Sequence, residues 1–336
     1  MGKNSLIKKF LSFSIGGYIN LIIGFFIIPI TTRMLSPEQY GIYSLINVIS
    51  QILVILCSLS MEQSFVRFFF EEEEEKRGKL LYTTMFPFFI LSMVFFILLF
   101  IFRERVSIFI VGKNENIIWI YLIFSIFFRA LNIFSFLVIR MKQRGNLYSI
   151  ITVLLKLFEF IFILLLYPYF GNNYKTLIFA MLFSNIATGI ISIIAERKMW
   201  SFKNLKNKCK TTNKELIFFS FPLVLTMGLN WLFGSLDKIT IKMFKDLGEV
   251  GIYSGAFKVV SLLTVIQSGF TTFWTPTALE HYSKNPEDTE FYKKANDYLS
   301  LIFFILYFLK FIVTYSTFSR SLFQIIPPNA FSLLST

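Results

Sequence analysis

The tetrapeptide Gly41-Ile42-Tyr43-Ser44, inside SPEQYGIYSLINV (residues 36–48), returns unchanged as Gly251-Ile252-Tyr253-Ser254, inside LGEVGIYSGAFKV (residues 247–259). At the same offset of 210 residues, Asn20 falls on Asn230, Gly24 on Gly234 and Leu53 on Leu263. Seven identities in 35 ungapped positions is a modest total, but four of them are consecutive and open an apolar window in both copies. Self-similarity at a fixed offset is the mark of a duplicated architecture. What the duplicated unit is follows from the residues around it.

The 336 residues are 55% hydrophobic and 19% aromatic but only 16% charged, against about 25% charged in an ordinary soluble domain. The 44 Phe are spread along the whole length, so an integral-membrane body is expected with no polar domain of ordinary size beside it. A helix that crosses a bilayer needs about 20 mostly apolar residues. Nine windows meet that need: 10–32, 41–65, 80–102, 117–139, 147–168, 176–195, 215–237, 252–278 and 299–318. Lys3, Lys8 and Lys9 precede the first window as they would a signal peptide, yet the apolar stretch runs to about Thr32 without a small-residue cleavage site, which reads as a retained span.

Lys and Arg accumulate in cytoplasmic loops. The N-terminus and the loops after the second, fourth, sixth and eighth windows hold 19 of them, and the opposite loops hold eight. The N-terminus is therefore expected inside. Six crossings separate the two GIYS copies, an even number, so both face the same way. A parallel repeat predicts two lobes related by an axis along the membrane normal, with substrate between them and access alternating by rocking. The expected organisation is all-α: a six-helix lobe over residues 1–195, a basic cytoplasmic linker over 196–214 and a second lobe over 215–336. The same offset carries the end of a complete second lobe past Thr336, where the chain stops, so the second lobe reads as incomplete and the chain as a truncated copy, inactive as it stands.

The net charge of +13 does not point to nucleic acid, because the basic residues sit in short loops between apolar runs rather than on one face. The linker lysines favour an anionic membrane surface instead. Cys57 and Cys209 lie far apart with no His or Cys at ligand spacing, so neither a disulfide framework nor a zinc site is indicated and no cofactor is expected. His281, the one histidine, reads as a loop residue. The acidic run Glu71 to Glu75 reads as a solvated loop face, since five consecutive carboxylates repel and lack the spacing and glycine of a calcium loop.

FIIPITTRMLSPEQYGIYSLINV (26–48), MEQSFVRFFFEE (61–72), RALNIFSFLVIRMKQRGNLYSI (129–150) and DKITIKMFKDLGEVGIYSGAFKVV (237–260) together resemble the polysaccharide-biosynthesis flippases. These are bacterial exporters of lipid-linked oligosaccharide units, within the superfamily that also holds multidrug extrusion proteins. The resemblance runs from the first window to about the eighth. It implies two six-helix lobes around a central cavity that moves undecaprenyl-diphosphate-linked sugars from the inner to the outer leaflet of the plasma membrane. The implied partners are the lipid-linked oligosaccharide, membrane lipids and other polysaccharide-assembly proteins.

A charged side chain near the bilayer centre costs at least about 2.5 kcal/mol, so one that is kept faces a partner or a wet cavity. Arg129 lies twelve residues into the fourth window, roughly 18 Å deep at 1.5 Å per residue. It is expected either to touch ligand or to hold a structural partner. Lys156 and Glu159 share a helical face and can neutralise each other. Lys258 and Lys310 lie within the eighth and ninth windows, and Lys258 can also snorkel to headgroups. Joined together, Arg129, Lys156, Lys258 and Lys310 would line a cationic cavity for phosphate, with Asn20 and Asn230 meeting sugar hydroxyls. Glu62, Glu159 and Asp237 are the candidates for a coupling proton or sodium ion. Two rivals stay open: a cation exporter of the same architecture, which would want an acidic cavity, and a membrane glycan polymerase or transferase, which would want an acid/base cluster.

Overall fold

The structure, a computed structural model, describes residues 3–206, 208–261, 264–285 and 287–293, with isolated positions 296, 297, 300 and 304. Side chains are described from residue 11 onward, apart from those of 259–261 and 264–272. Among the described residues every regular element is a helix: α1 (Lys3–Met34), α2 (Pro37–Ser58), α3 (Met61–Phe68), α4 (Arg77–Ile101), α5 (Arg103–Val111), α6 (Asn116–Met141), α7 (Gly145–Phe170), α8 (Tyr174–Ala195), α9 (Asn213–Phe244), α10 (Leu247–Ser261) and α11 (Thr264–Lys284). Seven stretches among the described residues are long and apolar enough to cross a membrane: Leu11–Met34, Pro37–Ser58, Glu74–Ile101, Asn116–Met141, Gly145–Phe170, Tyr174–Ala195 and Asn213–Phe244. They coincide with the first seven windows, and the chain is a polytopic all-α membrane protein. The eighth window falls on α10 and α11; the ninth, with Lys310, lies outside the described residues.

The second window does not run on to residue 65. It stops at Ser58 because Leu59 and Ser60 both turn left-handed (φ 48° and 53°), and α3 starts afresh at Met61. Each such non-glycine residue costs on the order of 1–3 kcal/mol and persists only where surrounding packing over-determines it. That packing is visible: Met61 and Phe65 are buried with Leu80, Leu81 and Phe134, and the Ser64 hydroxyl donates to the Leu216 carbonyl at 2.7 Å. The start of α2 is conventional, with Ser36 accepting from the Gln39 amide and Pro37 in the first turn.

The two GIYS copies meet. Helices α2 and α10 lie side by side with backbones almost touching, and the Ser254 and Ser44 hydroxyls bond at 2.8 Å. A Cβ built on Gly41 would stand 2.0 Å from the Leu247 carbonyl oxygen, and one on Gly251 would stand 1.8 Å from the Pro37 carbonyl oxygen. Pro37 and Leu247 are themselves 210 residues apart. The contact is therefore self-complementary: whatever residue i touches in the other copy, its mate touches in return, as in a two-fold interface. Small residues in the seam let two membrane helices approach this closely. The sequence repeat is a packing repeat at this point.

Between α8 and α9 the chain forms a strap bound to the corner of α3 and α4. Tyr82 donates to the Trp200 carbonyl at 2.6 Å, Lys79 to the Leu205 carbonyl at 3.0 Å, and Tyr82 stacks on Phe202. Glu72 is 2% exposed and accepts from the amides of Lys210 (3.1 Å) and Thr211 (2.7 Å). Just beyond, Thr212 and Glu215 close a reciprocal capping box that starts α9. The reading of Glu71 to Glu75 as a solvated face thus needs correcting at one position. Glu71 and Glu73 pair with Arg67 and Lys76 at the surface, whereas Glu72 is buried because two strap amides would otherwise lack an acceptor.

Residues 1–280 form one compact unit, and residues 281–336 a second. His281 is not a loop residue: it stands in the last turn of α11. Its Nε2 lies 2.9 Å from Asp288 Oδ2, and its ring stacks on Phe291 at 4.0 Å.

Candidate functional site

Three helices bring charge into the apolar interior. Helix α7 carries Lys156 and Glu159 on one face, and the ammonium and carboxylate meet at 2.6 Å. Glu159 also feels the positive charges of Lys258 on α10 and Arg129 on α6. The Lys258 ammonium stands 5.8 Å from the centroids of both Tyr40 and Tyr43 on α2, and the two rings are 5.7 Å apart. A cation over two aromatic faces is attracted by their negative quadrupoles. The two tyrosine faces thus lie beside the Lys258 ammonium, which is half-buried.

Arg129 completes the set. Its electrostatic neighbours are Tyr121, Tyr43 and Glu159, and it lines a hollow of about 10 Å³ with Tyr121, Ser125, Met181, Leu182 and Asn185. That is space for about one water. No hydrogen bond or ion pair to Arg129 occurs among the described residues. Polar contacts fix the walls around it: Ser125 bonds Ser50 at 2.9 Å, and Asn132 donates to Thr188 at 2.8 Å and to the Asn185 carbonyl at 3.1 Å. Lys156 thus pairs with Glu159, and Lys258 and Arg129 add positive charge within its electrostatic reach, leaving the group net positive, with the Arg129 guanidinium holding unused donors.

Of the other candidates, Asn20 lies on α1 one turn beyond Gly16, which contacts Ser149 of α7. Its Oδ1 is buried without a partner among the described residues, as is Oδ1 of Asn47 on α2. Asn230 is exposed on α9, next to Trp231, whose indole donates to the Val48 carbonyl at 2.9 Å. Asp237 accepts from the Tyr253 hydroxyl, and Lys238 lies over Phe257 within the field of Lys258. Glu62 stands apart at the start of α3, with Oε2 buried and unpartnered among the described residues. The structure joins Arg129, Lys156, Glu159 and Lys258; it leaves Glu62 and Asp237 elsewhere.

Sequence reasoning missed Tyr40, Tyr43 and Tyr121. Tyr40 and Tyr43 sit three apart, which places them on one helical face, and Tyr43 belongs to the first GIYS copy, so a signal existed. Two further charge centres were also missed because their members come from distant segments. Glu196, 2% exposed at the end of α8, pairs with Lys142 at 2.7 Å and Arg144 at 2.8 Å. At the other end of the helices Glu115 binds Lys175, Lys113 and the Tyr174 hydroxyl. Burial raises the Glu115 pKa, but these hydrogen bonds outweigh it and bring the value down to about 2.

Residues 6–282 match the sequence profile of a family described as polysaccharide biosynthesis protein. No curated protein matches the chain. Among solved structures, one called protein A matches with a TM-score of 0.62 at 14% identity, covering 84% of this chain and 67% of that one; at this identity the likeness concerns the fold alone.

Proposed function

The chain belongs to the polysaccharide biosynthesis protein family, and from that membership we propose that it is a transporter, not an enzyme, that flips lipid-linked oligosaccharide units across the bacterial plasma membrane. The observation that carries this reading is the net-positive group of Arg129, Lys156 and Lys258 around Glu159 inside the membrane. A diphosphate bearing sugars cannot cross hydrocarbon cheaply, and Arg and Lys offer its oxygens charge-assisted hydrogen bonds. Arg129 supplies a planar fork for the phosphate. Lys156 is already held by Glu159 and tunes the field, while Lys258 reaches the same group from the other GIYS copy.

In this account the two copies mark two lobes, 1–195 and 215–336, that rock about the α2–α10 seam. The N-terminus and the strap face the cytoplasm. Oxygens of Asn20 and Asn47 are left for sugar hydroxyls. Glu159 is the coupling candidate that lies within the group; Glu62 and Asp237 would couple only at a distance.

The test is direct. Against the expectation of an inactive, truncated copy, the proposal requires that the purified chain, in liposomes that carry a fluorescent undecaprenyl-diphosphate oligosaccharide, raise the rate at which probe reaches a quencher in the opposite leaflet. No increase over protein-free liposomes, or transport of a cationic dye instead, would overturn the proposal.

A further inference from the structure

Beside the strap, α4 and α9 enclose an apolar hollow of about 580 Å³. Its walls include Leu59, Phe86, Ile90, Leu91 and Ile217, with Lys79 and Asn213 at the strap end. Phe86 and Ile90 are largely exposed in it, at 63% and 50%. It shares no residue with the hollow that Arg129 lines. The strap end of the hollow is rich in lysine. Lys203, Lys206, Lys208 and Lys210 on the strap and Lys214 at the start of α9 carry no ion pair among the described residues. Of the nearby carboxylates, Glu72 is engaged by two strap amides, Glu73 by Lys76 and Glu215 by its capping box, while Glu74 and Glu75 are exposed.

We propose that this hollow holds an anionic phospholipid of the surrounding bilayer, one acyl chain lying between α4 and α9 and the phosphate at Lys79 beneath the strap lysines. A hydrocarbon slot whose one polar end is cationic matches that amphiphile in both chemistry and order along its length. Lys79 is fixed for the role, since it donates one proton to the Leu205 carbonyl at 3.0 Å and, as an ammonium with three donors, keeps others for a phosphate. Each basic residue near an anionic membrane surface adds to retention of this kind. The lipid would fasten the strap to the corner of α3 and α4 alongside Glu72, so the surrounding membrane would set how firmly α9 is held.

Native mass spectrometry of the detergent-purified chain tests this with phosphatidylglycerol and phosphatidylcholine of identical acyl chains. Phosphatidylglycerol should be retained and phosphatidylcholine not. The double variant Lys79→Ala/Lys214→Ala should weaken retention of phosphatidylglycerol on the order of tenfold or more, and Ile90→Glu, which charges the slot without touching the lysines, should weaken it too. Circular dichroism must show both variants folded. Equal retention of the two lipids, or unchanged retention in both folded variants, overturns the proposal. Displacement of phosphatidylglycerol from this site by a stoichiometric amount of undecaprenyl phosphate overturns it as well, by making the slot a substrate-tail site.

Discussion

Replacing Gly251 by Val should break the seam between α2 and α10. The new Cβ would fall 1.8 Å from the Pro37 carbonyl oxygen, and that oxygen belongs to a helix backbone, which has no rotamer to turn away. Overpacking of this sort costs about 1–3 kcal/mol where side chains can shift, and more where they cannot. We expect the upper end or beyond, read as a large drop in thermal stability in detergent and a loss of export. Gly41→Val should match it, because its Cβ would fall 2.0 Å from the Leu247 oxygen. Gly234→Ala is the control. It also belongs to the repeat, by its identity with Gly24, but a Cβ there meets open space, so the variant should be as stable as the parent or slightly more so. Equal effects at Gly234 and Gly251 would mean that the close approach is not what these glycines are for.

Arg129→Ala should lower export on the order of 10- to 100-fold while leaving the amount of protein in the membrane unchanged. The range is that of losing hydrogen bonds to a charged group, about 1.5–3 kcal/mol. Folding should survive, because no ion pair to Arg129 is broken among the described residues. Arg129→Lys should keep part of the activity, since the charge stays and the planar fork goes. Full export by the Ala variant would remove Arg129 from the site, and parallel loss of protein would make it structural. The measurement is transport per unit of protein for all three chains.

How much of this was legible depended on whether the signal was local. The first seven spans are long, predominantly apolar runs, and such runs announce themselves because every backbone polar group in hydrocarbon must be satisfied within its own helix. The Lys156–Glu159 pair was equally plain, being three residues apart on one helix. The break at Leu59 and Ser60 was not: neither is Gly or Pro, and only packing around Met61 and Phe65 imposes it. Glu72 was hidden for a different reason. In a run of five identical residues nothing local distinguishes the one that the strap amides, almost 140 positions away, will cover. The site shows both cases. Charges in apolar windows were easy to pick out, but which of them converge was decided by packing, which brought Lys258 onto Tyr40 and Tyr43 and left Glu62 at the start of α3. The repeat itself told more than its seven identities suggested, because the Gly and Ser of its four consecutive residues are small side chains that meet across the α2–α10 seam.

The central claim is that the two copies face each other and that transport requires the seam between them to move. On a background with Cys57 and Cys209 replaced by Ser, the pair Ser44→Cys and Ser254→Cys places two thiols where the hydroxyls now meet at 2.8 Å. Mild oxidation in native membranes should link them within one chain, seen as a mobility shift that dithiothreitol reverses and that neither single cysteine shows. Export should stop in the linked protein and return on reduction. Absence of the link would contradict the contact, and undiminished export by fully linked protein would contradict the rocking.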